Sequence, residues 1–183
     1  MRVITGTARG KRIITLPGDD IVRPTPERVK EGMFSAIQFD IEGRRILDLF
    51  AGCGQLGIEA LSRGAEKATF VDASEQSLGV IRKNLDNTGF TDKARVLRSD
   101  FASFTATSRD IFDIVFIDPP YKAMLFEKAV AAIEPILSDY GMVLCEHPSE
   151  VSLPEKIGGL VLSRSYRYGK VSVELYKKGG AAE

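Results

Sequence analysis

The sequence has few of the side chains that bind metal ions or form disulfides. Its 183 residues include one histidine, His147, and two cysteines, Cys53 and Cys145, which lie far apart in the chain. A structural zinc site needs about four nitrogen or sulfur ligands, so we predict no metal site. The two cysteines show no pairing pattern, and we therefore expect free thiols in a reducing cytoplasm.

Long apolar runs are also missing. No stretch reaches about 18 apolar residues, the length typical of a membrane span, so we predict no membrane partner. The N-terminal residues 1–6 lack the apolar core of a secretion signal, and we expect a cytoplasmic protein. Hydrophobic residues make up 44% of the chain and charged residues 27%, which favours a folded globular protein, with a monomer as the default state.

An excess of either charge is absent over the whole chain, because the formal net charge is zero. A zero net charge by itself argues against a nucleic-acid partner. The distribution is uneven, however: residues 1–30 contain seven basic and three acidic residues, so they carry +4 and the remainder carries −4. A basic end on a slightly acidic body is typical of a nucleic-acid footprint, although a solvated surface would have the same charges.

Apolar runs alternate with helix-like segments along most of the chain. Two β-rich runs around a glycine-containing loop predict an N-terminal hairpin, and Thr25 as N-cap with Pro26 at the first helical position predicts a helix. The alternation that follows predicts an α/β fold, a parallel Rossmann-like sheet with helices on both faces and an antiparallel hairpin at one edge. The predicted strands are 46–50, 67–72, 94–98, 112–117 and 141–146, with a helix at 123–137 and a terminal hairpin of 161–166 and 171–176.

A glycine-rich turn follows the first of these strands. Gly52, Gly54 and Gly57 have the G-x-G-x-x-G spacing, and Asp72 lies twenty residues beyond Gly52 at the end of the next strand. This pattern matches the dinucleotide fingerprint, in which the acid binds the ribose hydroxyls. A nicotinamide enzyme is therefore one interpretation, and a tight turn between strand and helix is another.

Two further acids favour a different ligand. Asp48 lies inside the preceding strand, where its carboxylate would repel a pyrophosphate but suit an amino group, and Asp100 follows the third strand. Acids at three successive strand ends fit a ligand with an amino group, a ribose diol and an adenine amine. S-adenosylmethionine has all three groups and no phosphate, so we predict it as the cofactor.

The tetrapeptide Asp118-Pro119-Pro120-Tyr121 ends the fourth strand. Neither proline has an N–H for a ladder, so the chain leaves the sheet at the edge where α/β proteins bind ligands. The Asp118 carboxylate and the Pro119 carbonyl can each accept one N–H of an exocyclic base amine, while Tyr121 can stack on a flipped base. A strand-terminating turn is the simpler interpretation of the tetrapeptide alone.

In this order the motifs resemble class I S-adenosylmethionine-dependent methyltransferases and, more narrowly, the RsmD family of 16S rRNA guanine-N2 methyltransferases. The resemblance covers residues 1–177, and it departs from the family pattern at Pro26-Glu27 and at Cys53. The motifs that carry the narrower resemblance are Met1-Arg2-Val3-Ile4-Thr5-Gly6 with Arg9-Gly10-Lys11, Arg23-Pro24-Thr25 with Arg28-Val29-Lys30-Glu31, Leu49-Phe50-Ala51-Gly52 with Leu56-Gly57-Ile58-Glu59-Ala60-Leu61-Ser62-Arg63-Gly64, and Tyr168-Gly169.

The resemblance implies a seven-stranded sheet and a role for each motif. The glycine loop would hold the methionine part of S-adenosylmethionine, Asp72 the ribose, Asp100 with Phe101 the adenine, and residues 118–121 would form the catalytic acceptor pocket. The predicted cofactor-binding residues are Asp48, Phe50, Ala51, Gly52, Gly54, Gly57, Asp72, Ala73, Asp100 and Phe101. The predicted RNA-binding residues are Arg2, Arg9, Lys11, Arg12, Arg23 and Arg28.

The predicted function is methylation of a guanine N2 amine in small-subunit (16S) rRNA or in an assembling 30S particle. An adenine-N6 DNA methyltransferase has the same acceptor motif, and a non-catalytic RNA-binding assembly module is the alternative from another class; the choice of guanine rests on the resemblance. We expect residues 1–40 to form an RNA-gripping extension, 41–178 the catalytic domain and 179–183 a disordered tail. Glu146, at the end of the fifth strand, is a further candidate for the pocket lining.

Overall fold

A computed structural model describes residues 1–16, 26–120 and 125–179. Within these residues the strands form one eight-stranded sheet in the order β3-β2-β1-β4-β5-β8-β7-β6. The predicted α/β fold is confirmed, with eight strands instead of seven. The strands are β1 (Arg45–Leu49), β2 (Lys67–Asp72), β3 (Ala94–Arg98), β4 (Phe112–Ile117), β5 (Leu137–Pro148), β6 (Lys156–Ile157), β7 (Leu160–Tyr168) and β8 (Val171–Lys178).

The order of the parallel strands reverses at β1. This strand pairs in parallel with β2 on one side and with β4 on the other, and Leu49 lies opposite Ile117 in the register. The residues that follow these two strands, Phe50 and Asp118, therefore start side by side at the same edge of the sheet. A crevice at such a switch point is where open α/β sheets bind ligands.

Five α-helices cover the two faces of the sheet in the described part of the chain. Side chains alternate between the faces along each strand. One face, which we call the α2 face, packs against residues 1–16 and the first three helices, and the other, the α5 face, packs against the last two helices. The helices are α1 (Glu27–Ala36), α2 (Gln55–Ser62), α3 (Glu75–Thr88), α4 (Phe101–Thr107) and α5 (Phe126–Ile133).

The N-terminal segment forms the predicted hairpin as a short antiparallel ladder. The two runs pair through one bridge, between Arg2 and Arg12, and the N–H groups of Val3, Gly10 and Ile13 donate across it to the carbonyls of Lys11, Val3 and Met1 over 2.9, 2.9 and 3.0 Å. The ladder stays too short to count as strands, because other N–H groups of the segment bind a side chain of α2: Ile4 and Thr5 donate to the two carboxylate oxygens of Glu59 over 2.8 and 3.0 Å. The segment is nevertheless fixed, since its apolar side chains belong to the core of the α2 face.

Two helix boundaries and one additional helix also differ from the predictions. Pro26 occupies the cap position of α1 and adopts an extended conformation, so it is not the first helical residue; the predicted N-cap, Thr25, lies outside the described residues. Helix α4 was not predicted. Helix α5 ends at Ile133, because the 3₁₀ turn that contains Pro135 follows it and β5 already begins at Leu137. No helix in the described ranges is long and apolar enough to cross a membrane.

Candidate active site

The glycine-rich loop between β1 and α2 is held by a buried carboxylate. Asp48 is 2% exposed, and its Oδ2 accepts a hydrogen bond from the Gly57 N–H over 2.8 Å. A Cβ at Gly57 would overlap the Phe70 ring and lie 3.2 Å from Asp48 Oδ2. Gly57 is therefore required for the close packing of α2 on the sheet.

The other two glycines of the motif shape the loop itself. Gly52 and Gly54 have φ angles of 56° and 79°, in the left-handed region that favours glycine. A Cβ at Gly52 would have open space around it. The open space beside Gly52 would let a ligand approach its backbone, so the predicted cofactor contact stays a prediction that the geometry permits, whereas Gly57 serves packing.

Burial raises the pKa of Asp48 to about 7. The hydrogen bond from Gly57 opposes this shift, and the charge of the nearby Asp72 carboxylate adds a smaller increase. A carboxylate loses hydration in the protein interior, and one N–H replaces only part of that hydration. Near neutral pH this group therefore exists in both protonation states. A cationic amino group beside it would favour the charged form.

Asp72 ends β2 and connects the loop to the next helix. Its Oδ2 accepts from the Gly52 N–H over 2.9 Å and its Oδ1 from the Ser74 N–H over 2.8 Å. Each carboxylate oxygen has a second lone pair, so the group can also accept from ligand hydroxyls. Ala73 is exposed beside it. The predicted ribose contact of Asp72 stays a prediction that this geometry permits.

Phe50 and Phe101 form one wall beside the loop. Their ring centroids lie 5.5 Å apart, and both side chains are half-buried. Phe50 has a φ of 66° and is, within the described residues, the one non-glycine residue with a positive φ. Such a conformation costs on the order of 1–3 kcal/mol and is typical of ligand sites. Ala51, which follows it, is buried and donates its N–H to the Val71 carbonyl over 3.0 Å.

Asp100 caps helix α4 and does not end a strand, since β3 stops at Arg98. Its Oδ1 accepts from the Ser103 N–H over 2.9 Å and its Oδ2 from the Ser103 hydroxyl over 2.7 Å. These hydrogen bonds hold the pKa of Asp100 below its ordinary value. The carboxylate is exposed. Its predicted role at the adenine stays a prediction.

The acceptor motif begins where β4 ends. Asp118 is half-buried, Pro119 is buried and Pro120 is exposed; Tyr121 lies outside the described residues. Asp118 follows Ile117, which pairs with Cys145 of β5. Burial raises the pKa of the Cys145 thiol, and the charges of Asp118, Glu146 and Glu174 raise it further. The motif therefore lies beside the end of β5 as well as the end of β1.

Asn84 of helix α3 was missed by the sequence reasoning. It is fully buried; its Nδ2 donates to the carbonyls of Cys53 and Ile14, both over 2.9 Å, and its Oδ1 accepts from the Ile14 N–H over 2.8 Å. One side chain thus joins the glycine loop to the N-terminal segment. An asparagine within a helix gives no sequence signal of such a role.

The predicted RNA-binding side chains that fall in the described residues are exposed. Two of them already have partners within the protein. Lys11 Nζ donates to the Asn87 carbonyl over 2.8 Å, and Arg2 Nε lies 3.8 Å from Glu27 Oε2. Arg23 lies outside the described residues. Lys30, which contributes to the basic charge of residues 1–30, is fully buried and cannot face a polyanion. The exposed residues are Arg2, Arg9, Lys11, Arg12 and Arg28.

A cavity of about 440 Å³ opens at the other edge of the sheet, beside Arg45, Lys67 and Asp110. These residues lie at the amino ends of the parallel strands or just before them. Ligands of α/β sheets bind at the carboxyl ends, and none of the predicted site residues lines this cavity. It is not the candidate site.

The residues around the loop fit S-adenosylmethionine better than a dinucleotide. A pyrophosphate would need free N–H groups in the first turn of α2, but the Gly57 N–H already donates to Asp48. The loop from Asp48 to Gly57 also has no basic side chain. Open space at Gly52, carboxylates at Asp48 and Asp72, and the wall of Phe50 and Phe101 suit a ligand that carries an amino group, a ribose and an aromatic base.

Comparison with known proteins identifies the family. The family model described as "Conserved hypothetical protein 95" matches residues 1–177. The chain belongs to this family. This is the RsmD family of the sequence resemblance, so that prediction is confirmed.

Known proteins resemble the chain over nearly its full length. "Putative rRNA methyltransferase YlbH" of Bacillus subtilis is 40% identical over 98% of this chain and 100% of its own. "Ribosomal RNA small subunit methyltransferase D" of Escherichia coli is 34% identical over 100% of this chain and 92% of its own. Among solved structures, "Putative methyltransferase yhhF" from Escherichia coli superposes with a TM-score of 0.83 at 35% identity and covers 98% of both chains.

Proposed function

We propose that this protein is an S-adenosylmethionine-dependent methyltransferase that modifies the exocyclic N2 amine of a guanine in small-subunit rRNA. One observation carries the proposal: Asp118-Pro119-Pro120 leaves β4 directly beside the glycine loop that leaves β1. A donor and an acceptor bound at these two positions would meet at the switch point. The names of the Bacillus subtilis and Escherichia coli relatives support rRNA as the substrate class.

The loop side of the site would hold the cofactor, whose sulfonium supplies an electrophilic methyl group. Asp48 would accept from the amino group, and Asp72 from the ribose hydroxyls. Phe50 and Phe101 would enclose the adenine. The loop is held in place before the ligand arrives, since its Gly52 and Gly57 N–H groups already bind Asp72 and Asp48. Such preorganisation lowers the cost of aligning the methyl group.

The acceptor side would orient the amine. A guanine amine is a poor nucleophile because its lone pair is delocalised into the ring. The Asp118 carboxylate and the Pro119 carbonyl would each accept one of its hydrogens, which directs the lone pair toward the methyl group. As the nitrogen–carbon bond formed and the methyl–sulfur bond of the donor broke, the nitrogen would become cationic, and it would release one proton to the Asp118 carboxylate. Tyr121 would stack on the flipped base.

The first forty residues would grip the RNA. Exposed cations on the N-terminal segment and α1, among them Arg9, Arg12 and Arg28, can neutralise phosphates. The segment is fixed to α2 through Glu59, which would keep these charges at a constant distance from the loop. We retain residues 1–40 as the RNA-gripping extension and 41–178 as the catalytic domain.

The test is to incubate the purified protein with labelled S-adenosylmethionine and with undermethylated small-subunit RNA or particles. Digestion and mass analysis of nucleosides should give N2-methylguanosine. Label in DNA adenine and none in RNA would replace the proposal with an adenine-N6 methyltransferase. No transfer to either acceptor, with intact RNA binding, would favour a non-catalytic assembly module.

A further inference from the structure

Strand β5 extends beyond the end of β4 at the edge where the acceptor motif lies. The parallel register of the two strands ends with the pair Ile117 and Cys145, but β5 continues to Pro148. Glu146 comes one residue after Cys145, as Asp118 comes one residue after Ile117. The overhanging part of β5 therefore forms a side wall beside Asp118.

The side chain of Glu146 lies on the same face of the sheet as Asp118. Along β5, Met142 and Leu144 belong to the core of the α2 face, whereas Val143 and Cys145 belong to the core of the α5 face. The alternation places Glu146 on the α2 face. On β4, Phe116 lies on the α2 face, and Asp118 follows it by two residues.

Asp48 lies on this face as well, because it pairs with Phe116 in the register and binds the N-terminal turn of α2. The carboxylates of Asp48, Asp118 and Glu146 thus lie on one face of the sheet, near the ends of the adjacent strands β1, β4 and β5. Asp118 lies between the other two. Asp48 would serve the methyl donor and Asp118 the amine. Glu146 lies on the side of Asp118 that is remote from the donor, where the rest of the base would lie.

The register places Glu146 beside Asp118, because Ile117 pairs with Cys145 and each carboxylate follows by one residue. In agreement with this position, the charges of both carboxylates add to burial in raising the pKa of the Cys145 thiol. Glu146 is itself only 2% exposed. A buried carboxylate makes strong hydrogen bonds to well-placed donors and strongly disfavours a lone pair in the same position.

This chemistry distinguishes guanine from adenine. The N2 amine of guanine is adjacent to N1–H, a donor, whereas the N6 amine of adenine is adjacent to N1, an acceptor. On the basis of the function proposed above, we propose that Glu146 is the specificity-determining residue, which accepts a hydrogen bond from guanine N1–H while Asp118 and the Pro119 carbonyl hold the amine. The same contact would reject adenine, because two acceptors would face each other.

The experiment uses RNA in which the mapped target guanosine is replaced by 2-aminopurine. This base keeps the N2 amine but has a lone pair at N1. We expect the wild-type protein to prefer guanine by about 100-fold or more in kcat/KM, since sites built to bind a polar group reject analogues that lack it. In Glu146→Gln the carboxamide can donate to the N1 lone pair, and the preference should fall to roughly 10-fold or less.

Glu174→Gln is the matched control. Glu174 is also a buried carboxylate, but it lies on β8 with its Oε1 3.0 Å from the Ser165 hydroxyl and 3.3 Å from His147 Nε2, on the α5 face with Tyr176. Its substitution should leave the base preference unchanged. Glu146→Asp is the second variant: it keeps the charge, so it should keep the preference even where kcat falls. A collapse of the preference in this variant would overturn the inference.

The outcomes separate the two proposals. If the wild-type protein makes no N2-methylguanosine, the proposed function fails and the assignment of Glu146 fails with it. If the wild-type protein methylates guanine normally and Glu146→Gln keeps the full preference over 2-aminopurine, only the assignment of Glu146 is overturned. Binding of S-adenosylmethionine to Glu146→Gln, measured by calorimetry, should match the wild type, because Glu146 lies away from the glycine loop.

Discussion

Glu59 and Asp48 are both buried carboxylates that bind helix α2 or its loop, but their surroundings differ. Glu59 has two cations, with Lys30 Nζ at 3.3 Å and Arg63 Nε at 2.9 Å. It also accepts two backbone N–H groups, those of Ile4 and Thr5. Asp48 accepts the Gly57 N–H and lies near a second acid, Asp72. Glu59 is compensated within the protein, whereas Asp48 has a raised pKa.

The difference separates a structural site from a ligand site. The compensated carboxylate fixes the N-terminal segment and α1 to α2, because Lys30 also donates to the Arg2 carbonyl over 2.8 Å. The arrangement costs Lys30 part of its basicity: burial lowers its pKa, although Glu59 opposes this shift. The undercompensated carboxylate lies at the switch point, where a cationic ligand can supply the missing charge. Perturbed acids in a cleft are candidates for function on this ground.

The largest effect should come from breaking the compensated site. Glu59→Ala leaves the Lys30 ammonium buried without its counter-ion, and removal of one partner of a buried pair costs about 3–5 kcal/mol. We expect this loss in the free energy of unfolding, measured with urea. Pairing Glu59→Gln with Lys30→Met should recover part of it, because no unpaired ammonium is then buried and the carboxamide oxygen can still accept from the backbone N–H groups of Ile4 and Thr5. A loss below about 1 kcal/mol in Glu59→Ala would show that the pair is not a structural clamp.

The next effect concerns the acceptor motif beside the undercompensated site. Asp118→Asn keeps the shape of the side chain but removes the charge that accepts from the amine and takes its proton. We expect kcat to fall about 10²–10³-fold, the typical loss for one preorganised electrostatic contact, with unchanged binding of S-adenosylmethionine. Single-turnover methylation and calorimetry measure the two quantities. An Asp118→Asn protein with wild-type kcat would contradict the proposed mechanism.

A smaller effect should appear in the pH dependence of stability. The pKa of Asp48 is raised from 3.8 to about 7 by folding, so between these values the native state holds a proton that the unfolded state has released. Stability should therefore fall as pH rises through this window, by up to about 1.4 kcal/mol per pH unit from this group. Asp48→Asn should remove that slope, because its amide oxygen can still accept from Gly57.

Urea unfolding of both proteins at pH 4.5 and pH 7.5 measures this effect, with the exposed Asp92→Asn as the control. We expect Asp48→Asn to stabilise the protein relative to wild type only at the higher pH. Binding of S-adenosylmethionine should have the opposite trend: it should tighten with rising pH in the wild type and stay flat in Asp48→Asn. Parallel pH curves for the two proteins would mean that Asp48 does not titrate in this range.

The undercompensated site could be predicted from the sequence, and the compensated one could not. Central parallel strands form apolar runs in the sequence, so the ends of β2 and β4 were predicted correctly and the end of β1 to within one residue. These strand ends fix the positions of Asp48, Asp72 and Asp118. Lys30 was counted as a surface charge, because a lysine beside an apolar helix face usually extends to solvent. Its partner Glu59 is 29 residues away in the sequence, and only the tertiary fold joins them.

Other misses have local causes. The predicted N-terminal hairpin forms only a short ladder, because the N–H groups of Ile4 and Thr5 donate to a side chain of α2 and not to the opposite run. Helix α4 has only seven residues, too few for a helical period to be visible. Asp100 was therefore assigned to a strand end, although its position before that helix makes it an N-cap. A carboxylate that binds a ligand and one that caps a helix have the same sequence signal.

The smallest effect should come from removing one exposed cation, which should weaken RNA binding without the loss of stability expected at the buried Glu59. Arg12→Ala removes an exposed cation from the N-terminal segment and leaves the Glu59 clamp intact. We expect little change in stability, weaker RNA binding, and a slope of log binding constant against log salt that is reduced by about 1, as for one lost phosphate contact. Lys128→Ala, an exposed cation on α5, is the control and should leave the slope unchanged. If the two variants have equal slopes, Arg12 makes no phosphate contact, and the proposed role of the N-terminal segment in RNA binding would be contradicted.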